Sequence, residues 1–216
     1  MLVIVTAGPT VEDIDDVRFL SNRSSGRLGY AIAARFASLG HQVVLVSGPV
    51  CLECLPGVER FSVRSCDEMA EAVWSRLPDV DMVVMAAAVA DFKPAKRVSG
   101  KIKKTDKGLT LRLVKTVDIL AGVGERRSAG QTVVGFALEA GGTDDAASRE
   151  AALDKMKRKK LDAIVLNGPE NIGATRGEIV IIGCDGEEIA RASGTKEDLA
   201  ITVVDAAIII HGKGHR

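Results

Sequence analysis

Residues 21–29 read Ser-Asn-Arg-Ser-Ser-Gly-Arg-Leu-Gly, between an apolar run that ends at Gly8-Pro9 and a helical pattern that begins near Tyr30. A helix start that binds phosphate needs outward backbone N–H groups, small residues that allow close approach, and a positive dipole end. Ser24, Ser25 and Gly26 satisfy the first two just ahead of the helix. Arg18, Arg23 and Arg27 can add guanidinium forks, and Asn22 brings a donor and an acceptor on one amide. The other reading of the stretch is a capping loop with solvated arginines. The first turn lacks G-x-G-x-x-G, and no G-x-x-x-x-G-K-[ST] occurs, which counts against a standard dinucleotide site and a Walker loop.

Three further groups could do chemistry. In Gly100-Lys101-Ile102-Lys103-Lys104, an extended backbone puts Lys101 and Lys103 on one face and Ile102 on the other. Mobile ammonium groups on such a flap could neutralise a leaving pyrophosphate, or the segment is simply a solvated loop. Lys155 and Lys159 are spaced i,i+4 and share a helical face, which is either a second cationic contact or a solvated basic face. Ala86, Ala87 and Ala88 would let a flat base approach the backbone. Asp91 behind them could hold a ribose hydroxyl or a metal, or serve as a turn residue. Cys51 and Cys54 form a C-x-x-C with no second pair or nearby histidine to complete a zinc set, and read as ordinary loop thiols.

The elements that must position these groups alternate. Apolar runs at 2–6, 42–49, 81–92, 131–139 and 161–167 read as strands buried on both faces, and 59–63 as another. Helical patterns cover 29–39, a stretch from Ser65 or Asp67 to Pro78, 146–160, and a last helix from Thr195. Residues 177–193 hold two β runs about Cys184-Asp185-Gly186, a hairpin signal. This order predicts a three-layer α/β domain with a mostly parallel sheet and a C-terminal antiparallel hairpin, spanning 1–216 as one unit with a mobile tail from 211. Right-handed crossovers gather the loops at 6–28, 47–57, 86–100 and 137–145 at the carboxyl ends of strands, where open α/β sheets bind ligands.

Composition sets bounds. The chain has 216 residues, 46% hydrophobic and 27% charged, enough for a proper core. A formal net charge of zero and 3% aromatics argue against nucleic acid and anionic membrane surfaces as partners. No apolar run reaches membrane-spanning length and no signal peptide opens the chain, so a cytoplasmic location is expected.

The segments TAGPTVEDIDDVRFLSNRSSGRLGYAIA, LVSGPV, AAAVADFKP, KIKK, LVKTVDIL, VVGFALE and KLDAIVLN, in this order, resemble bacterial phosphopantothenate–cysteine ligase, often the C-terminal half of a bifunctional coenzyme A biosynthesis protein. The likeness runs from residue 2 to about 210. Two departures are a short segment after the lysine motif and Val117 in place of a common proline. The resemblance implies a Rossmann-like, ribokinase-like fold and a homodimer. It implies a two-step reaction: CTP with Mg²⁺ activates 4′-phosphopantothenate as an acyl-cytidylate, and cysteine then displaces CMP. By position, Asn22, Arg18 and Ala88 resemble residues of the acyl-substrate pocket, and Lys101 the lysine needed for turnover. Ser24, Ser25 and Gly26 resemble the triphosphate-binding helix start. Ala87, Asp91, Val117, Asp118, Ile119, Leu120, Phe136, Lys155 and Lys159 resemble the rest of the nucleotide site; metal ligands are not implied. The rival readings are a non-catalytic nucleotide-binding module of the same fold and an NAD(P)-dependent reductase. The reductase would need a Tyr-x-x-x-Lys pair that Tyr30 does not form.

Overall fold

The computed structural model describes residues 1–53, 56–104 and 108–214. Its strands are β1 (Leu2–Ala7), β2 (Val11–Asp13), β3 (Phe19–Ser21), β4 (Gln42–Ser47), β5 (Val58–Ser62), β6 (Met82–Met85), β7 (Phe92–Pro94), β8 (Leu113–Lys115), β9 (Thr132–Leu138), β10 (Ala163–Asn167), β11 (Arg176–Gly183) and β12 (Glu188–Thr195). The helices are α1 (Arg27–Ser38), α2 (Cys66–Trp74), α3 (Ile119–Arg126), α4 (Ala146–Arg158) and α5 (Lys196–Gly214). Eight strands form one sheet in the order β12-β11-β10-β9-β6-β1-β4-β5. The pairs from β5 to β10 are parallel, and β11 and β12 close the far edge antiparallel. The predicted three-layer architecture with its terminal hairpin is the observed one.

The layers follow from strands that are apolar on both faces. In β1, Val3, Val5 and Ala7 pack with α1 and α5, while Ile4 packs with α2, α3 and α4. Helix α1 buries Tyr30, Ile32, Ala33 and Phe36, and α5 buries Leu199, Ala200, Val203, Val204, Ala206 and Ala207. Among the described residues no helix is long and apolar enough to cross a membrane.

Four details depart from the sequence reading. Helix α2 stops at Trp74, and Pro78 sits in a separate 3-10 turn (Leu77–Asp79) instead of ending the helix. Helix α5 runs on through His211 to Gly214, and the Nδ1 of His211 lies 2.9 Å from Thr132 Oγ1, so this part of the expected tail is docked. Helix α3 was not anticipated; its two interior glycines lower helix propensity. Gly122 leaves room for the Trp74 ring and Gly124 for the backbone at Lys159. Two small antiparallel sheets, β2–β3 and β7–β8, were also not anticipated, because three-residue strands show no measurable alternation.

Candidate functional site

Strands β1 and β6 lie side by side, yet the chain leaves β1 toward β4 and leaves β6 toward β9. That reversal opens a crevice beyond their carboxyl ends. The crevice is held shut at its base by a short backbone zipper. Ala88 N donates to Gly8 O at 2.9 Å, Thr10 N to Ala88 O at 3.3 Å, Ala87 N to Thr6 Oγ1 at 3.1 Å and Ala90 N to Thr10 Oγ1 at 2.9 Å. Asn22 joins it: its Nδ2 donates to Ala88 O at 2.8 Å, and its amide oxygen takes no hydrogen bond from any described residue. Asn22 and Ala88, two predicted acyl-pocket positions, are therefore in direct contact.

The start of α1 stands against the same turn. Gly26 is its N-cap with φ +77°, and Gly8 has φ +74°, both left-handed conformations that favour glycine. A Cβ on Gly26 would come 3.2 Å from Gly8 N, and one on Gly29 would come 2.6 Å from Ala7 Cβ and 2.9 Å from Thr6 O. Tight turn, close approach and close helix–strand packing are the three jobs of the dinucleotide fingerprint glycines. Here Gly8 takes the first and Gly26-x-x-Gly29 the other two, split by residues 9–25. Gly8 and Gly29 were not singled out from sequence; the x-x spacing after Gly26 was the available signal. No side chain caps α1 and no acidic residue occupies its first turn, so the helix start keeps its attraction for anions. Half-buried Ser24 accepts from Gly26 N at 3.3 Å.

Across the crevice the cations gather. Lys155 Nζ donates to Phe136 O at 2.8 Å, and Lys159 Nζ to Asp118 Oδ1 at 2.8 Å. Asp118 also caps α3 by accepting from Ala121 N at 3.0 Å. Burial first, and Lys159 second, push the Lys155 ammonium below its ordinary range, against the pull of Glu139, Asp118 and Asp91. For Asp118, burial favours the neutral acid, but Lys159 and the Ala121 N–H outweigh it and hold the carboxyl low. Phe136, Asp91, Asp118, Lys155 and Lys159 thus share one neighbourhood. Ile119 and Leu120 do not line it with side chains: they turn into the core under α2, and only Val117 and Asp118 of that stretch face outward.

Asn167 was missed from sequence. It ends β10, 92% buried as the complement of 8% exposure, with its amide oxygen unpartnered. By strand alternation it shares a face with Val165, whose β9 neighbour is Phe136. A buried amide without a partner needs a ligand or a water. The signal was a polar residue closing the apolar run Ala163–Leu166.

Arg18 and the lysine segment also meet. Arg18 Nη1 donates to Asp15 Oδ2 at 2.6 Å and to Ile102 O at 3.3 Å. Lys101 and Lys103 are exposed and Ile102 is half-buried, the alternation of an extended chain, and Lys104 is exposed as well. Cys51, Cys66 and Cys184 are free thiols; Cys54 of the C-x-x-C lies outside the described residues. Burial pushes the Cys66 thiol up, and its Sγ donates to Val117 O at 3.4 Å, so it is a core group.

The profile of the family described as "DNA/pantothenate metabolism flavoprotein C-terminal domain" matches residues 1–210. The chain belongs to this family. A Bacillus subtilis relative, "Coenzyme A biosynthesis bifunctional protein CoaBC", is 46% identical over 176 residues, 81% of this chain and 42% of its own length. A second, from an unknown prokaryotic organism and named "Cysteine/Cysteine sulfinic acid decarboxylase", is 44% identical over 81% of this chain and 48% of its own length. The chain therefore spans less than half of either relative. A solved structure, the C-terminal domain of a CoaBC protein, superposes with a TM-score of 0.81 at 33% identity, covering 100% of this chain and 96% of that one.

Proposed function

We propose that the chain is a phosphopantothenate–cysteine ligase: it uses CTP to activate the carboxylate of 4′-phosphopantothenate and joins it to cysteine, releasing pyrophosphate and CMP. The observation that carries this reading is the Asn22–Ala88 contact at the reversal of strand order. It sits between an uncapped helix start and a wall of two lysines. The matched C-terminal domain of a CoaBC protein supports it, because that likeness covers both chains almost completely.

The chemistry explains the residue types. A carboxylate acylates poorly because its leaving oxygen is strongly basic, and a mixed phosphoric anhydride supplies a better leaving group. The protein must bring two anions together and stabilise the charge that develops between them. In this reading Ser24, Ser25 and Gly26 receive the triphosphate, and Asn22 with Arg18 and Ala88 orients the acyl carboxylate. Ala87, Asp91, Val117, Asp118 and Phe136 with the backbone of Ile119 and Leu120 hold the nucleoside. Asn167 offers its unpaired amide oxygen there. Lys155 and Lys159 meet phosphate, and Lys101 acts in turnover of the acyl-nucleotide. Magnesium would travel on the triphosphate oxygens, with Asp91 the nearby carboxylate, in keeping with its preference for phosphate plus one or two acidic ligands.

We further infer a cytoplasmic homodimer and a single ligase domain over 1–216. Exposed Val17, Phe19, Phe92, Leu111 and Leu113 put apolar surface on both small sheets, which supports a self-association face there. The reductase reading loses its remaining foothold: Tyr30 is buried with its hydroxyl 3.1 Å from Ser47 Oγ, a structural role.

The test is pyrophosphate release with CTP, 4′-phosphopantothenate, cysteine and Mg²⁺. Release that depends on the acyl acid, with product amide formed, is expected; no release sinks the ligase and leaves the non-catalytic module. Asn22→Ala should lower turnover by about 100-fold, the scale of one lost transition-state hydrogen-bond donor or acceptor. Turnover at the parent rate would remove Asn22 from the site.

A further inference from the structure

We propose that Asp15 is a positioning residue that clamps the main chain on either side of Lys101 together with Asp16 and ties it to Arg18; this rests on the ligase reading above. Asp15 is 1% exposed and its carboxylate is filled by four donors, three from the adjoining Val17 and Arg18 and one from the distant Ile102. Oδ1 accepts from Val17 N at 2.8 Å and Arg18 N at 2.7 Å, a local Asx turn. Oδ2 accepts from Arg18 Nη1 at 2.6 Å and from Ile102 N at 3.0 Å. Asp16, the next residue, takes Gly100 N at 2.8 Å on Oδ2 and the Arg97 guanidinium at 3.0 Å on Oδ1. Gly100 and Ile102 flank Lys101, so consecutive aspartates fix the backbone immediately before and after it. Val98 N adds a third tie, to Ile14 O at 3.0 Å.

The physical need is clear from the lysine itself. An ammonium on four rotatable carbons cannot be aimed unless its Cα is fixed. Among the described residues Arg18 is held through Nη1, which leaves Nη2 and Nε for a ligand. One buried carboxylate therefore sets both an acyl-pocket cation and the turnover lysine. Burial works against the charge on Asp15, but the N–H groups of Ile102, Val17 and Arg18 and the Arg18 guanidinium outweigh it and hold the carboxyl down to about 2. The clamp is thus fully charged at any assay pH.

Asp15→Asn cuts selectively. The Asx turn on Oδ1 survives, because asparagine makes the same turn, whereas an NH₂ at the Oδ2 position faces two donors. In the full chain, hydrogen exchange at the Ile102 amide should speed up at least about tenfold while amides of β1 and β4 stay unchanged. Turnover should fall about 10- to 100-fold, the scale of a charge-assisted hydrogen bond, and KM for 4′-phosphopantothenate should rise through Arg18. In a Lys101→Ala background the same substitution should lower turnover by less than about twofold further, since the two act through one group. Unchanged exchange at Ile102, or the full penalty repeated in the Lys101→Ala background, overturns the proposal. If Asp15→Asn does not fold, Ile102→Pro removes the donor from the other side, and it should reproduce the turnover loss without the rise in KM; normal turnover there is equally fatal. A parent chain that releases no pyrophosphate refutes the ligase reading alone, because the exchange at Ile102 still reports whether Asp15 holds the segment.

Discussion

At the residue scale, the site is built from groups whose charge the fold makes expensive. Lys155 is the sharpest case. Its ammonium is half-buried, lies beside Lys159 and donates to Phe136 O. Because its pKa is lowered on folding, the folded chain holds fewer protons than the unfolded chain between that lowered value and the ordinary lysine value of 10.5. Stability then rises with pH across that window, and below it the buried charge remains a steady penalty. Lys155→Met should keep stability within about 1 kcal/mol of the parent, trading one ammonium–carbonyl hydrogen bond against relief of the buried charge. It should also flatten the alkaline rise in melting temperature. The parent should gain about 2.7 kcal/mol of stability at a CTP concentration 100 times its Kd, and the variant should lose most of that gain. Thermal melts with and without CTP across pH check both; a variant protected as well as the parent takes Lys155 out of the nucleotide site. The polar residues here were legible from sequence where type and spacing coincide: Asn22 beside serines and a glycine, and Lys155 with Lys159 one turn apart. Asp15 and Asn167 were not. Both are marked by burial, and Asp15 also by a hydrogen bond from Ile102 far along the chain, which no local pattern records.

At the element scale, two devices decide where the site forms. The first is the seat of α1 on β1 at Gly29. Alanine in place of glycine inside a helix ordinarily gains about 1 kcal/mol. Here the added Cβ would lie 2.6 Å from Ala7 Cβ and 2.9 Å from Thr6 O, so the helix must lift off the strand. Gly29→Ala should therefore destabilise by about 1–3 kcal/mol, an inverted sign that a denaturant titration reads directly. A gain in stability would mean that α1 is not seated this closely. The second device is the Asp118 cap. Asp118→Ala should cost about 1 kcal/mol as a lost N-cap, lowering the melting temperature by about 2–4 °C. Asp118→Asn keeps the cap acceptor and should recover most of that loss; equal losses would show that the ion pair with Lys159, not the cap, holds the start of α3. The long strands and helices were readable because each is apolar over a full period. Helix α3 and the two small sheets were not, since their identity comes from what they pack on. Trp74 Nε1 donating to Ile119 O at 3.2 Å is a tertiary cause of α3 that its own glycine-containing sequence does not announce.

At the scale of the whole molecule, apolar surface is distributed unevenly. Phe19 is 54% exposed and Val17 59% on the first small sheet and its turn; Phe92 is 48% and Leu113 42% on the second. Val17 and Phe19 flank Arg18 in the chain, Phe92 follows Asp91, and β2 lies against β7, so this surface adjoins the candidate site. A stable dimer needs about 1,200–2,000 Å² of buried surface, more than one hairpin offers, so both small sheets would have to take part. Light scattering on the full chain should give twice the chain mass. Phe19→Asp together with Leu113→Asp should give the chain mass, with the far-ultraviolet spectrum and melting temperature close to the parent's, because neither side chain belongs to the two buried clusters. If the second subunit helps to shape the acyl pocket, that monomer should still bind CTP, since the lysine wall and the α1 start lie within one chain. It should, however, lose turnover with 4′-phosphopantothenate. A parent chain that is monomeric and fully active, or a monomeric variant that turns over normally, would leave the exposed apolar face without a role in catalysis.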